Sequence, residues 1–243
     1  MTPNTQHPKT IGRVLAVVSL GVILGGVFAQ GFIANRLIDF SNAATTANNI
    51  LTHRGLFQLS FTVFLIEMAC NAATSALWYV LLRPVNRSMA LVAAFIDLSG
   101  VVMKTFARVF YIAPLWVLLR SAGGAPAVLN GFTPEQVQSI VLILLRVNNT
   151  GAATAVAFFG ISILLNGYLI FRSTFLPRWL GALTMLSSLG WLAYFYPPLG
   201  SRMFIFAALA SLVNAALMIF WLLVKGVNEE RWKQQAAGAI AQP

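Results

Sequence analysis

A chain of 243 residues that is 58% hydrophobic and only 9% charged, with a mean hydropathy of +0.79, lies far from a soluble domain, where about 25% of residues are charged. The formal net charge is +10, but Lys and Arg are scattered singly between apolar runs, which argues against a nucleic-acid surface. The single cysteine, Cys70, sits inside an apolar run, so a disulfide framework is excluded.

About 20 apolar residues suffice to cross roughly 30 Å of hydrocarbon. In chain order such runs fall at 11–34, 57–82, 89–119, 150–172, 179–196 and 203–225. Hydrocarbon offers the backbone no hydrogen-bond partner, so each span must be helical. The sequence therefore predicts an all-α, polytopic transmembrane helical bundle of six spans, one membrane domain over 1–243 with a cytoplasmic tail at 226–243. The start of the first span, Lys9 and Arg13 followed by apolar residues and Val27-Phe28-Ala29, also has the layout of a cleavable signal peptide. The apolar stretch runs on past that point, which favours a retained span.

The joints between spans are polar. Asn42 to Asn49 is small and polar, Arg83 to Ser88 is a basic turn, and Gly123 to Gly131 is a Gly/Pro loop. Thr133, Pro134 and Gln136 form a capping-box pattern that starts a helix near 134. At about 1.5 Å per residue, helix from there to Arg172 is nearly twice as long as one crossing. Asn148-Asn149-Thr150-Gly151 is the natural break, so 134–147 is expected to be a separate interfacial helix before span four. A single long, tilted fourth span is the competing reading. Asn148-Asn149-Thr150 also fits a glycosylation sequon.

Basic residues near span ends set the orientation. Lys9, Arg13, Arg83, Arg87, Arg172, Arg178, Lys225, Arg231 and Lys233 fall on one side, and Arg36, Arg54, Arg120, Arg146 and Arg202 on the other. The richer side is cytoplasmic, which puts both the N and C termini there. Trp78, Tyr79, Trp179, Trp221 and Trp232 lie near that boundary, as an aromatic belt would.

Glu67, Asp97, Lys104 and Arg108 fall inside spans two and three. Left unpaired, they would cost on the order of 10 kcal/mol to insert. Asp97, Lys104, Arg108 and Tyr111 are spaced by seven, four and three residues and so share one stripe of a helix. Glu67 lies fifteen residues before Leu82 and Lys104 fifteen after Met89, so antiparallel spans joined by the short turn bring the two level. An intramembrane polar network of Glu67, Asn71, Asp97, Lys104 and Arg108 is expected. Glu67 pairs with Lys104, Arg108 reaches Glu67, and Asp97 lies nearest Thr74 and Ser75. Two acids against two bases leave no surplus charge. The network reads as a structural clamp, or alternatively as a polar site or proton path. Asn166 and Asn214 are isolated amides expected to bond across helices. Arg146, Asn148 and Asn149 read as a polar helix end, or as a vestibule.

Enzymatic chemistry finds little support. Both histidines, His7 and His53, lie outside the spans, which removes His-based haem or zinc ligation and a Ser/His dyad within the membrane. No phosphate-binding glycine motif occurs. No cofactor and no metal site is expected.

Several short stretches carry a family likeness: Phe158-Phe159-Gly160, Phe171-Arg172-Ser173, Leu176-Pro177-Arg178-Trp179-Leu180, Trp221 to Gly226, and Gly21 to Phe28. Together they resemble the bacterial multi-span membrane family catalogued as domain of unknown function 4386. The resemblance implies a multi-span helical bundle without an established activity. It also implies an Arg followed by Glu near the start of span three, where this chain has Ile96, Asp97 and Ser99. Arg172, Pro177, Arg178 and Trp179 read as a cytoplasmic interface motif, with Arg178 facing lipid phosphates and Trp179 in the belt.

The expected function is that of a non-enzymatic integral protein of the bacterial inner membrane. One alternative is a small proton-coupled transporter using Asp97 and Glu67. Another is a membrane sensor or assembly factor that meets lipid or a partner helix through Gly21, Gly25 and Gly26. Membrane lipid and a second copy or partner helix are the expected partners, with no nucleic acid.

Overall fold

The computed structural model describes residues 7–122 and 131–240, and all regular structure among them is helical. Helix α1 (Pro8–Gly26) continues through a π-helical stretch (Val27–Ala34) into α2 (Asn35–Leu37), one apolar run of 30 residues. Then come α3 (Ala43–Thr52), α4 (Arg54–Leu82), α5 (Arg87–Ala122), α6 (Pro134–Arg172), α7 (Arg178–Leu192), a 3-10 turn (Ala193–Phe195), α8 (Pro197–Val224) and α9 (Glu229–Ile240). Most of the Gly/Pro stretch expected as a loop, 123–130, lies outside the described residues.

Local chemistry explains the joints. Asn42 caps α3 by accepting from the Thr45 N–H at 2.9 Å. The basic turn after α4 closes with the Val85 N–H donating to Leu82 O at 2.9 Å, and Asn86 caps α5 by accepting from the Met89 N–H at 2.8 Å. At the start of α6 the capping box is formed in both directions. The Thr133 N–H donates to Gln136 Oε1 at 2.8 Å, and the Gln136 N–H donates to Thr133 Oγ1 at 3.4 Å. Gly226, at φ 73°, follows α8 in the left-handed region and donates to Trp221 O at 2.8 Å, a conformation that favours glycine.

Five helices are long and apolar enough to cross a membrane: Pro8–Leu37, Arg54–Leu82, Arg87–Arg120, Pro134–Arg172 and Pro197–Val224. The stretch expected as a span at 179–196 is only 15 residues of helix followed by the 3-10 turn. At about 1.5 Å per residue α7 alone falls short of a 30 Å crossing.

The expected break at Asn148–Gly151 is absent. α6 runs unbroken for 39 residues, so 134–147 is not a separate helix and the single long helix is the correct reading. The residues that suggested a joint have other uses. Thr150 Oγ1 donates back to Arg146 O at 3.0 Å, Asn148 is buried with its amide bonded, and a Cβ on Gly151 would stand 2.8 Å from Ala107 Cβ. The glycine is there for close approach to α5.

The described residues form two compact units. One comprises those of Met1–Gly21, Cys70–Val101 and Ala153–Pro243. In it the backbones of α6 and α7 touch. A Cβ on Gly181 would lie 2.7 Å from Gly167 O, and one on Gly167 would lie 2.8 Å from Met185 N, the small-residue contact that lets membrane helices pack closely. Gly181→Ala is expected to destabilise the protein by about 1–3 kcal/mol in detergent unfolding. Gly55→Ala, at a helical position with nothing within 4 Å, should be neutral or stabilising by up to about 1 kcal/mol.

The segment expected as a tail forms α9 and docks within this same unit. Trp232 is 6% exposed and its Nε1–H donates to Leu81 O at 2.9 Å, capping a carbonyl near the end of α4. Trp232 is therefore not a belt residue. The Asn228 N–H donates to Phe175 O at 3.3 Å and Thr174 Oγ1 to Gln235 Oε1 at 2.9 Å. Lys9 N–H, at the start of α1, donates to Glu229 Oε1 at 3.4 Å.

The second unit comprises Val22–Ala69 and Val102–Ala152. Its core includes Ile33, Leu37, Ile50, Phe57, Phe64, Tyr111, Leu115, Val141 and Leu145, and it holds the candidate site.

Candidate functional site

The polar stripe of α5 is turned inward and the opposite stripe outward. Val102, Phe106 and Val109 are 67%, 65% and 48% exposed, whereas Arg108 and Tyr111 are 3% and 1% exposed. A helix solvated by lipid exposes its apolar face and hides its charges. Lys104 Nζ donates to Glu67 Oε1 at 2.8 Å, with side-chain exposures of 16% and 5%. The α4–α5 hairpin places them level. Glu67 also fills the space beside two glycines. A Cβ on Gly25 would lie 3.6 Å from Glu67 Cβ, and one on Gly26 3.5 Å from Glu67 Oε1. Gly25 and Gly26 thus receive Glu67 rather than presenting a surface to a partner helix, and Gly21 faces Cys70 Sγ at 3.8 Å.

Arg108 does not take up the expected bond to Glu67. Its guanidinium carbon lies 3.5 Å from the centre of the Phe64 ring, a cation–π contact, and its Nη1 donates to Asn148 Oδ1 at 3.1 Å. Glu67 Oε2 and Arg108 Nε are buried without a hydrogen-bond partner among the described residues.

Aromatic rings extend the cluster. Tyr111 stacks on Phe57 at 4.5 Å and meets Phe64 edge-on at 5.2 Å. Its hydroxyl donates to Ser60 Oγ at 3.0 Å, and Ser60 in turn donates to Ala29 O at 3.1 Å, inside the π-helical stretch. Sequence reasoning missed Ser60, Phe64 and the partnership with Asn148. The first two carried a signal, since Ser60, Phe64 and Glu67 recur at helical spacing on one stripe of α4.

The other expected members, Asp97 and Asn71, belong to the first unit. There the side chains of Ser162 and Ser75 lie near the Asp97 carboxylate, and the Ser75 hydroxyl itself donates to Ala94 O at 3.2 Å. Ser162 was not anticipated, and Thr74 is not a partner, its Oγ1 being buried and unbonded. The side chain of Asn71 makes no hydrogen bond among the described residues. The second unit buries one acid and two bases, a surplus of one positive charge.

Asn166 Nδ2 donates along its own helix to Ser162 Oγ at 3.4 Å, whereas Asn214 bonds across to Thr184 Oγ1 at 3.1 Å. Of the interface motif, Trp179 is 48% exposed and meets Trp221 edge-on at 6.0 Å. Pro177 and Arg178 line an open pocket with Thr174, Arg231 and Gln235, and Arg172 is exposed at the end of α6.

A second pocket, of about 120 Å³, lies within the second unit and is lined by Gln30, Asn35, Tyr111, Asn148 and Asn149 among others. Beside it Arg146 donates to Phe40 O at 3.1 Å. Asp39 does not line this pocket. The Ser41 hydroxyl and N–H, at 2.6 and 2.9 Å, hold its carboxyl below its ordinary value.

The family model described as Domain of unknown function (DUF4386) matches residues 14–226. The chain belongs to the DUF4386 family. This DUF4386 chain is also similar to an uncharacterized protein of Archaeoglobus fulgidus, 37% identical over 71 residues, which is 28% of this chain. It spans 42% of that relative's length. No solved structure matches this DUF4386 chain.

Proposed function

We propose that the chain is a non-enzymatic multi-pass protein of a prokaryotic cell membrane, the inner membrane in a bacterium, and that the Glu67–Lys104 pair clamps its second span to its third. The observation that carries this reading is the 2.8 Å contact between two charged groups, both largely buried on helices whose outward faces are apolar. A charge pair inside hydrocarbon is tolerable only when each charge has its partner. The chain, 1–243, is one membrane domain of six spans with both termini cytoplasmic. Support for an even number of crossings comes from the contact of Lys9 with Glu229, which places the start of the first long helix beside the segment that follows the last. With five long helices, α7 and its 3-10 turn supply the sixth. Membrane lipid is the surrounding partner, with Arg172, Arg178 and Trp179 at its cytoplasmic boundary. Single cysteines at positions 5 and 242 in Cys70→Ser protein, labelled in sealed vesicles, should react from the same, cytoplasmic side. Labelling from opposite sides would refute six spans.

A second reading, a small proton-coupled carrier, is favoured by Asp97, a half-buried carboxylate in a span whose polar neighbours, Ser75 and Ser162, carry no charge. Uptake driven by a proton gradient in proteoliposomes should then be lost in Asp97→Asn. Uptake that survives the change would remove this reading.

A further inference from the structure

The buried charge of the second unit does not balance, and two amides beside its pocket, Asn148 and Asn149, are ordered by that imbalance. Glu67 and Lys104 neutralise one another, which leaves Arg108, 3% exposed and with Nε unbonded. A guanidinium only donates hydrogen bonds, so the oxygen of Asn148 must face it. The NH2 group of Asn148 is thereby turned to Asn149, where it donates to Oδ1 at 3.2 Å. Asn149 is left presenting its own NH2 group, with no partner among the described residues. Across the pocket no charge sets the orientation, but a second, exposed amide pair faces it. Gln30 Nε2 donates to Asn35 Oδ1 at 3.1 Å, which leaves Asn35 with a free NH2 group. The pocket thus presents amide donors, polarised on one side by a buried cation at the end of a short relay. Its wall also includes part of the π-helical stretch, a feature found frequently at functional sites.

Donors backed by a single buried uncompensated charge favour a monoanion: Arg146 beside the pocket is exposed and met by water, so a second negative charge would find no buried counter-charge. One water needs on the order of 10–15 Å³, so a pocket of about 120 Å³ suits a ligand of several heavy atoms better than a bare halide. We propose that this pocket binds a small carboxylate, its two oxygens taking the NH2 groups of Asn149 and Asn35 while Arg108, through Asn148, supplies the compensating charge. The proposal does not rest on the number of spans or on the carrier reading.

Acetate is the probe. The full chain in lipid nanodiscs is titrated with sodium acetate in place of sodium chloride at constant ionic strength while its Tm is followed, since a ligand that binds only the folded state raises Tm saturably. Two variants at an exposed position keep the fold: Asn149→Leu removes the donor, and Asn149→Asp sets an anion in its place. The expected result is a saturable rise for the unmodified chain, with the midpoint at least tenfold higher in both variants. Sodium phosphate at a pH that keeps it a dianion should give no saturable rise. The proposal is overturned if acetate produces no saturable rise, if either Asn149 variant responds as the unmodified chain does, or if the dianion binds equally well.

Discussion

Glu67→Lys made alone removes the folded protein from the membrane, and Lys104→Glu added to the same chain restores it. The single change sets three cations, at 67, 104 and 108, in a largely buried cluster that holds no other acid. Breaking a buried pair costs about 3–5 kcal/mol, and like-charge repulsion adds to that. A domain is stable by only about 5–15 kcal/mol, so most of the folded population is lost. The reversed pair recovers the attraction at the same depth. Recovery should be incomplete, because the carboxylate then sits on the α5 side, away from the Gly25 and Gly26 recess that receives Glu67. Monodisperse yield after extraction, with helix content by circular dichroism, reads the effect.

Trp232→Ala releases α9. The indole is 6% exposed and caps Leu81 O, so truncation removes a large buried surface and leaves a carbonyl at the end of α4 unbonded. Removal of a buried Trp costs about 3–5 kcal/mol. The helix carries few other ties, chiefly Asn228 to Phe175 and Gln235 to Thr174, so the loss falls on local docking more than on the bundle. Limited proteolysis of the protein in detergent micelles should cut near 226–230 at least tenfold faster in the variant, with helix content of the rest unchanged. Trp232→Phe keeps the ring without the donor and should fall between the two.

The helices were legible because hydrocarbon imposes a simple demand: long apolar runs, polar joints and inward charges. Thr133 with Gln136 and the equal depth of residues 67 and 104 both follow from spacing along one chain. What spacing could not supply was competition among partners. Arg108 was expected at Glu67, yet a Phe64 ring one turn from Glu67 and an amide forty residues away compete for a planar cation that stacks as readily as it pairs. Asn148 to Gly151 looked like a joint because the residue types that break helices also serve where helices approach closely or where a buried cation needs an acceptor. Trp232 looked like a belt residue because an indole suits either a wet boundary or a buried carbonyl, and composition does not distinguish the two. Asp97 shares the stripe of Lys104, but one of its neighbours, Ser162, is sixty-five residues away and carries no charge by which to find it.

The clamp itself is tested most directly by a double-mutant cycle. Glu67→Gln, Lys104→Met and the double variant are compared with the unmodified chain by unfolding in mixed micelles. A direct buried contact predicts a coupling of about 1–3 kcal/mol, the double variant being less destabilised than the sum of the singles. Single effects that add to within about 0.5 kcal/mol would contradict the pair.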